Sequence, residues 1–426
     1  MSIAFPIVPW GNGTNIYEVN VRQYTTEGTF QAFIKHIPRL QKMGVEILWL
    51  MPVTPVSVEK RQGTFGSYYA ASSYTDIDPA YGTVNDFREL ITVAHQHNMK
   101  VIIDWVANHT GYDHQWTKTH ADWYRKDDKG NFIGLYGWVD VIDLNYEIPE
   151  LRMEMINSMK FWIKEFDIDG FRCDMARTVP IDFWIEARGE CDAVKPLFWL
   201  AECEIPEYHE AFDVTYGWEM MRAADKYMKG EDDIKLADIL LILTNYSKYP
   251  IGSRKLLFTS NHDENTYWGT EYEKYGVAAK AMAVFTCTWP GIPLVYSGQE
   301  KPNYKRLAFF EKDFIDWEGE IQLHDFYNTL LTFRKKNKAL QESASVLILT
   351  TNHQHVLAYL CRRQQDKVLV LLNFSPDNAR FTIDHPAITG QYQQLFTEDN
   401  KTISRKEIFQ FAPGEYRVYH ITANTY

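Results

Sequence analysis

Short apolar runs rich in β-branched and aromatic residues recur along the first three quarters of the chain, at 16–21, 45–52, 100–106, 168–175, 197–201, 212–216, 255–259 and 292–296. Their lengths suit strands, and most intervals between them carry apolar positions at helical spacing, as at 30–42, 84–97 and 150–165. Strands alternating with helices in this number predict a (β/α)8 barrel of the α/β class. Two intervals break the rhythm. The stretch 109–148, rich in Trp, Tyr, Asp and Gly, is too long for a plain loop and predicts a small inserted subdomain after the third strand. The gap between the fifth and sixth strands is short for a crossover helix, which leaves the register of the sixth open.

After a helical segment at 323–340 the pattern turns to short alternating strands at 346–350, 356–361, 367–373 and 416–421, separated by turn-rich pieces such as TNHQ and SPDN. They predict a C-terminal antiparallel β-sandwich. The expected division is a barrel from 1–108 and 149–342, a subdomain from 109–148 and a β-domain from 343–426.

Composition narrows the function. The 426 residues are 45% hydrophobic and 23% charged, with a formal net charge of -12. With no dense basic block, the surface should repel phosphate backbones, so nucleic acid is not expected as a partner. No apolar run is long enough to cross a bilayer, so no membrane partner is expected either. The five cysteines are odd in number and widely spread, which predicts reduced, buried thiols. No secretory signal is read at the N-terminus, so the chain as given is expected to be cytoplasmic, with export after removal of a leader as the other case. Oligomeric state is left open. Aromatic residues reach 15%, more than a core strictly needs, and suit stacking on flat ligand faces as well as packing.

Four strand ends carry carboxylates: DWVANH (104–109), GFRCD (170–174), LAECE (200–204) and SNHDEN (260–265). An acid is expensive where an apolar strand runs out, so its repeated placement asks for a chemical reason, and sugar-bond hydrolysis supplies one. Alternation puts Gly170, Arg172 and Asp174 on one face of their strand. The guanidinium beside Asp174 is expected to lower its pKa and keep it an ionised nucleophile; a plain ion pair is the competing reading. Glu202 ends an apolar strand, where burial should raise its pKa and suit it to donate a proton, with Glu204 as a competitor two residues on. Asp263 adds a third acid that could strengthen its hold on sugar hydroxyls as charge develops.

These four segments, in this order after successive strands, resemble the signature regions of the α-amylase family, glycoside hydrolase family 13. YEVNVRQYT, WLMPV, DIDPAYGT, DLNY and IPLVYSGQE add to the resemblance, which runs from about residue 15 to 340. By this resemblance Asp174 is the nucleophile, Glu202 the acid/base and Asp263 the carboxylate that holds the distorted sugar. Arg172, His109, His262 and Asp104 contact the nucleophile or the sugar, and Tyr69 is the aromatic platform beneath it. The resemblance also implies an α-glucan or maltooligosaccharide substrate, a retaining mechanism, and no cofactor in the chemistry. Asn108 and Asp143 match two oxygen ligands of a structural calcium, whose presence stays open.

This chain departs from the family in having Ser73 for an acid after the platform tyrosine, and Arg177 and Thr178 for a Lys-His pair. Endo-acting α-1,4 hydrolysis is expected, because the inserted subdomain is short and no large N-terminal module obstructs a long chain. An oligosaccharide- or cyclodextrin-specific or glucosyl-transferring enzyme is the alternative, and a non-catalytic glucan binder the remaining one. Trp116, Trp138, Tyr146, Trp218, Tyr267 and Trp268 are candidates for further sugar contacts or for packing.

Overall fold

A computed structural model describes residues 5–250 and 252–421; the outermost ends of the first and last predicted domains lie outside these. Eight parallel strands close into a barrel: β1 (Ile16–Val19), β2 (Ile47–Leu50), β3 (Lys100–Trp105), β4 (Gly170–Cys173), β5 (Phe198–Ala201), β6 (Val214–Tyr216), β7 (Arg254–Leu257) and β8 (Ile292–Tyr296). Each pairs with its neighbours in sequence, and β1 closes the ring against β8. All eight lie within or beside the predicted runs. The connection between β5 and β6 departs from a barrel's usual crossover, being a 3-10 turn at Pro206–Glu210 where a helix would ordinarily stand.

Period-two alternation sorts the strand side chains. Ile16, Ile47, Trp49, Ile102, Phe198 and Leu200 fill the barrel interior, while Tyr17, Leu48, Val101, Phe171 and Trp199 pack outward under the helices. Gly170 is the tightest point of that interior. A Cβ there would sit 2.1 Å from the Phe198 carbonyl oxygen, so β4 and β5 approach as they do only because the side chain is absent.

The helices follow local chemistry. Thr83 and Asp86 form a capping box on Val84–Gln96, and Pro149 opens Pro149–Phe166 where a missing N–H is harmless. The segment predicted as one helix over 30–42 is two, Phe30–Ile34 and Ile37–Met43. Pro38 is the reason, since it can start the second helix but cannot continue the first.

Between β3 and β4 the chain builds a two-stranded ribbon, His109–Gly111 against Val141–Asp143, with a short helix at Trp116–Thr119. C-terminally a six-stranded antiparallel sheet holds Ser345–Leu349, Val356–Arg363, Asp366–Asn373, Tyr416–Ile421, Gly390–Gln394 and Asn400–Ile403 in that spatial order. A second sheet of Ala379–Asp384 and Lys406–Phe411 shares a core with it through Phe381, Phe409, Leu369 and Leu371. The four strands between 379 and 411 were not expected, because GQYQQ and KEIFQF are too polar to stand out as strands. All five cysteines are free and buried.

Candidate active site

The eight strands end at one rim, and the carboxylates converge there around a single guanidinium. Arg172 points into the barrel from β4 and its side chain is wholly buried. Its register partner on β3 is Asp104, whose two carboxylate oxygens lie 2.9 and 3.2 Å from Nη1. The same nitrogen donates to Asp174 Oδ1 at 2.9 Å, and Nη2 lies 3.0 Å from Glu202 Oε2 without hydrogen-bond alignment. Nε donates to the Tyr216 hydroxyl at 3.1 Å, and the plane lies over the Trp49 ring at 4.9 Å. One cation therefore faces three acids.

That sharing settles the charge state of Asp174 differently from the sequence expectation. Burial pushes its carboxyl up, Arg172 pulls it down, and Asp104 and Asp263 push it up again, leaving it at about 6. The expected lowering fails because the guanidinium is divided among acids that repel one another in a desolvated site. Glu202 goes further, to about 7, raised first by burial and then by Asp174 and Asp263 against the pull of Arg172. Asp104 is raised to about 6, again by burial before its partners. Interacting acids of this kind lose their protons in macroscopic steps that belong to the group.

The turn after β4 aims the Glu202 carboxylate. Met175 has φ 42° and ψ 40°, left-handed for a residue with a full side chain, and this turns its N–H onto Glu202 Oε2 at 2.8 Å. Such strain persists only where surrounding structure enforces it. Glu204, the competitor, faces away: it accepts from Tyr246 at 2.9 Å and from the Glu219 N–H at 2.8 Å.

Across the rim, Asp263 is a third exposed at its side chain and lies 3.4 Å from His262 Nε2. His262 Nδ1 is 2.5 Å from Glu18 Oε1, and Nε2 is 2.7 Å from the Tyr69 hydroxyl, which in turn donates to Asp104 Oδ2 at 3.2 Å. Burial alone would neutralise this imidazole; Asp263 and Glu18 together raise it to about 9, so it is a cation at neutral pH. Glu18 and Tyr216 escaped the sequence reading. Glu18 sits in Tyr-Glu-Val on β1, and its signal was a carboxylate on an interior-facing position of a core strand. His109, buried and beside Trp138 at 5.5 Å between ring centres, is lowered to about 4 by burial and is neutral.

A cavity of about 220 Å³ opens onto Asp174, Glu202, Asp263, His262, Tyr69 and His109 together. Trp138 and Tyr267 line it as well, and both are substantially exposed. Trp116 and Tyr146 are packed interior, Trp218 packs against the barrel core, and Trp268 is exposed but outside the cavity. Arg177 is exposed, and Ser73 donates to Asp76 at 2.7 Å, so an acid three residues on serves that loop. Asn108 and Asp143 are spent on each other and on the backbone: Asn108 Nδ2 donates to Asp143 Oδ1 at 3.2 Å, and Asp143 Oδ2 accepts the Leu135 N–H at 3.0 Å. A calcium ion wants roughly six to eight oxygens, and no group of three or more acidic, His or Cys side chains able to hold a metal occurs among the described residues. This pair does not fit one.

The family model for the α-amylase catalytic domain matches residues 11–134 and 120–190. A maltogenic α-amylase from Thermotoga neapolitana, a solved structure, is 30% identical, superposes with a TM-score of 0.89, and is covered over 99% of its length by 96% of this chain. The chain belongs to the α-amylase family. Among other relatives, "Alpha-amylase 3" of Dictyoglomus thermophilum is 27% identical over 86% of each chain. A cyclomaltodextrinase of Geobacillus thermopakistaniensis is 23% identical over 83% of this chain and 63% of its own length. No described helix is long and apolar enough to cross a membrane.

Proposed function

We propose that this α-amylase family member is a retaining glycosidase that hydrolyses α-1,4-glucosidic bonds in starch-like glucans and maltooligosaccharides. The observation that carries the proposal is the gathering of Asp174, Glu202 and Asp263 on one cavity with two of them on a shared guanidinium. A retaining pair works at roughly 5 to 5.5 Å, an inverting pair at roughly 6.5 to 9.5 Å, and one guanidinium reaching both carboxylates supports the short separation. The names of the relatives, α-amylase, maltogenic α-amylase and cyclomaltodextrinase, support the bond type.

In this reading Asp174 attacks the anomeric carbon while Glu202 protonates the departing glycosidic oxygen. Glu202 then takes a proton from the water that releases the sugar with its configuration retained. The charged His262 and the Asp263 carboxylate grip ring hydroxyls, where contacts that tighten as positive charge develops accelerate the reaction. Tyr69 lies under the sugar as a platform, its hydroxyl fixed by Asp104 and His262, and neutral His109 can donate or accept at a hydroxyl. Arg172 is a positioning residue whose charge keeps Asp174 ionisable in a buried site. The chemistry calls on no cofactor, and a structural calcium is not part of the proposal. The five buried free thiols support a reducing compartment.

The test is a reducing-sugar assay on soluble starch with Asp174→Asn and Glu202→Gln, both folded as judged by circular dichroism. Activity in the parent that vanishes in both variants supports the assignment. Full activity in either removes it.

A further inference from the structure

The catalytic cavity is lined by Asp174, Met175 and Glu202 at the ends of β4 and β5 and by Gln62, Phe309 and Phe310 from the loops that follow β2 and β8. Glu202 follows β5, and in a closed ring of eight strands β5 stands opposite β1, which β2 and β8 flank. The proton donor must sit by the leaving oxygen. The reducing-side part of a glucan therefore departs over β4 and β5, where Arg177 is exposed, and the non-reducing part points toward β1.

Over β1 the rim is bridged. The loop that follows β2 and the loop that follows β8 meet there and bond to each other: the Phe65 N–H donates to the Phe310 carbonyl at 2.9 Å, and the Thr64 N–H to Glu311 at 3.1 Å. Gly63, at φ +60°, is so close beneath Phe310 that a Cβ would lie 2.6 Å from the phenylalanine's own Cβ. Phe309 fills the seam, edge-on to Tyr68 at 5.2 Å and parallel to the Tyr69 platform at 6.3 Å.

Neither loop hangs free. Asp113 accepts the Val58 and Glu59 N–H groups at 2.8 and 3.2 Å; Asn265 accepts the Leu307 N–H at 2.8 Å; and the Ile315 N–H donates to the Gln23 carbonyl at 2.9 Å. Gln62, Phe309 and Phe310 face the cavity, whose 220 Å³ falls below the ~300–1,000 Å³ of sites for drug-sized ligands.

Resting on the hydrolytic reading above, we infer that the enzyme takes its substrate by the non-reducing end. The wall leaves room for one or two glucosyl units beyond the scissile bond, so glucose or maltose is released from chain termini and internal bonds of a long glucan are not cut. This inference differs from the endo action expected from the short subdomain. The feature that decides is a contact between two loops about 250 residues apart in the chain.

The experiment compares 4-nitrophenyl maltoheptaoside with the same compound carrying an ethylidene cap across O4 and O6 of its non-reducing glucose, the products of each being separated by chromatography with no coupling enzyme present. The capped compound should react about 100-fold more slowly, within the 10–200-fold that a small added group produces in a close-fitting pocket. Maltoheptaose labelled at its reducing end should give labelled products shortened by one or two units at the earliest times, and β-cyclodextrin, which has no end, should be a poor substrate. Widening the wall with Gln62→Ala and Phe310→Ala together should raise the capped-to-free ratio at least about tenfold while the free compound is still cleaved. Equal rates on capped and free compounds, early labelled products of all lengths, or a ratio unmoved by the widened wall would overturn the inference. Cleavage of neither compound by the parent would instead strike at the hydrolytic reading itself.

Discussion

Replacing Glu202 by Gln should abolish starch hydrolysis and at the same time stabilise the protein, and the gain should grow with pH. The carboxyl is held at about 7 in the folded protein against an ordinary value of 4.5, with burial as the first cause. A group whose folded pKa is raised lends stability below its unfolded value and withdraws it as pH climbs through the folded one. Between pH 4.5 and 7 the wild type therefore loses stability that a neutral amide does not lose, at most about 3 kcal/mol by pH 8. The amide oxygen can still accept the Met175 N–H, but its NH2 then faces the Arg172 guanidinium, so a gain of ~1–2 kcal/mol is the reasonable expectation.

In a chain of this size each kcal/mol moves Tm by about 1 °C. Calorimetry at pH 5 and pH 8 should accordingly find the variant about equal to wild type at the lower pH and ~1–2 °C higher at the upper. Activity on starch should fall by about 10²–10⁴. α-Maltosyl fluoride, whose leaving group needs no proton, should lose far less in its first step. A Tm difference that is the same at both pH values, or a variant less stable at pH 8 than at pH 5 relative to wild type, would refute the account of Glu202 as a burial-raised acid.

The pH dependence of kcat/KM should be a narrow bell with limbs near 6 and 7, because Asp174 must be ionised and Glu202 protonated in the free enzyme; a plateau extending past pH 9 would contradict it. Glu18→Gln removes one of the two anions that hold His262 charged, so the imidazole should titrate clearly below 9 by NMR, with kcat falling more than KM rises. Gly170→Ala should cost several kcal/mol or prevent folding, since the new methyl meets the Phe198 carbonyl; a Tm within 1–2 °C of wild type would show that β4 and β5 can part. Chelation with EDTA should leave both Tm and starch activity unchanged, and a loss restored by calcium would show that Asn108 and Asp143 rearrange to take a metal.

What could be read from the chain and what could not divide along the range of the interactions involved. The barrel strands and the converging acids were legible because both are local patterns: apolar runs of strand length, and carboxylates where those runs stop. Strand alternation alone put Arg172 beside Asp174. It could not tell that Asp104 and Glu202 draw on the same guanidinium, and that division, together with burial, turns the expected lowering of the Asp174 pKa into a rise. Glu18 was hidden for a related reason. A lone carboxylate between Tyr17 and Val19 looks like an ordinary polar position until the ring closes and brings His262 onto it from β7's end. The acidic run 311–320 is the plainest case. It is an exposed loop without regular structure, as its composition suggests, yet Glu311 caps the Thr64 N–H, and Asp313 accepts the Ala308 and Phe314 N–H groups at 3.0 and 2.9 Å, which ties the segment to the loop after β2 beside Phe309 and Phe310 at the cavity. No periodicity within either loop encodes that meeting. Chemistry at strand ends is therefore legible from one strand at a time, whereas the length of glucan the cavity admits depends on loops that meet only when β1 is closed between β2 and β8.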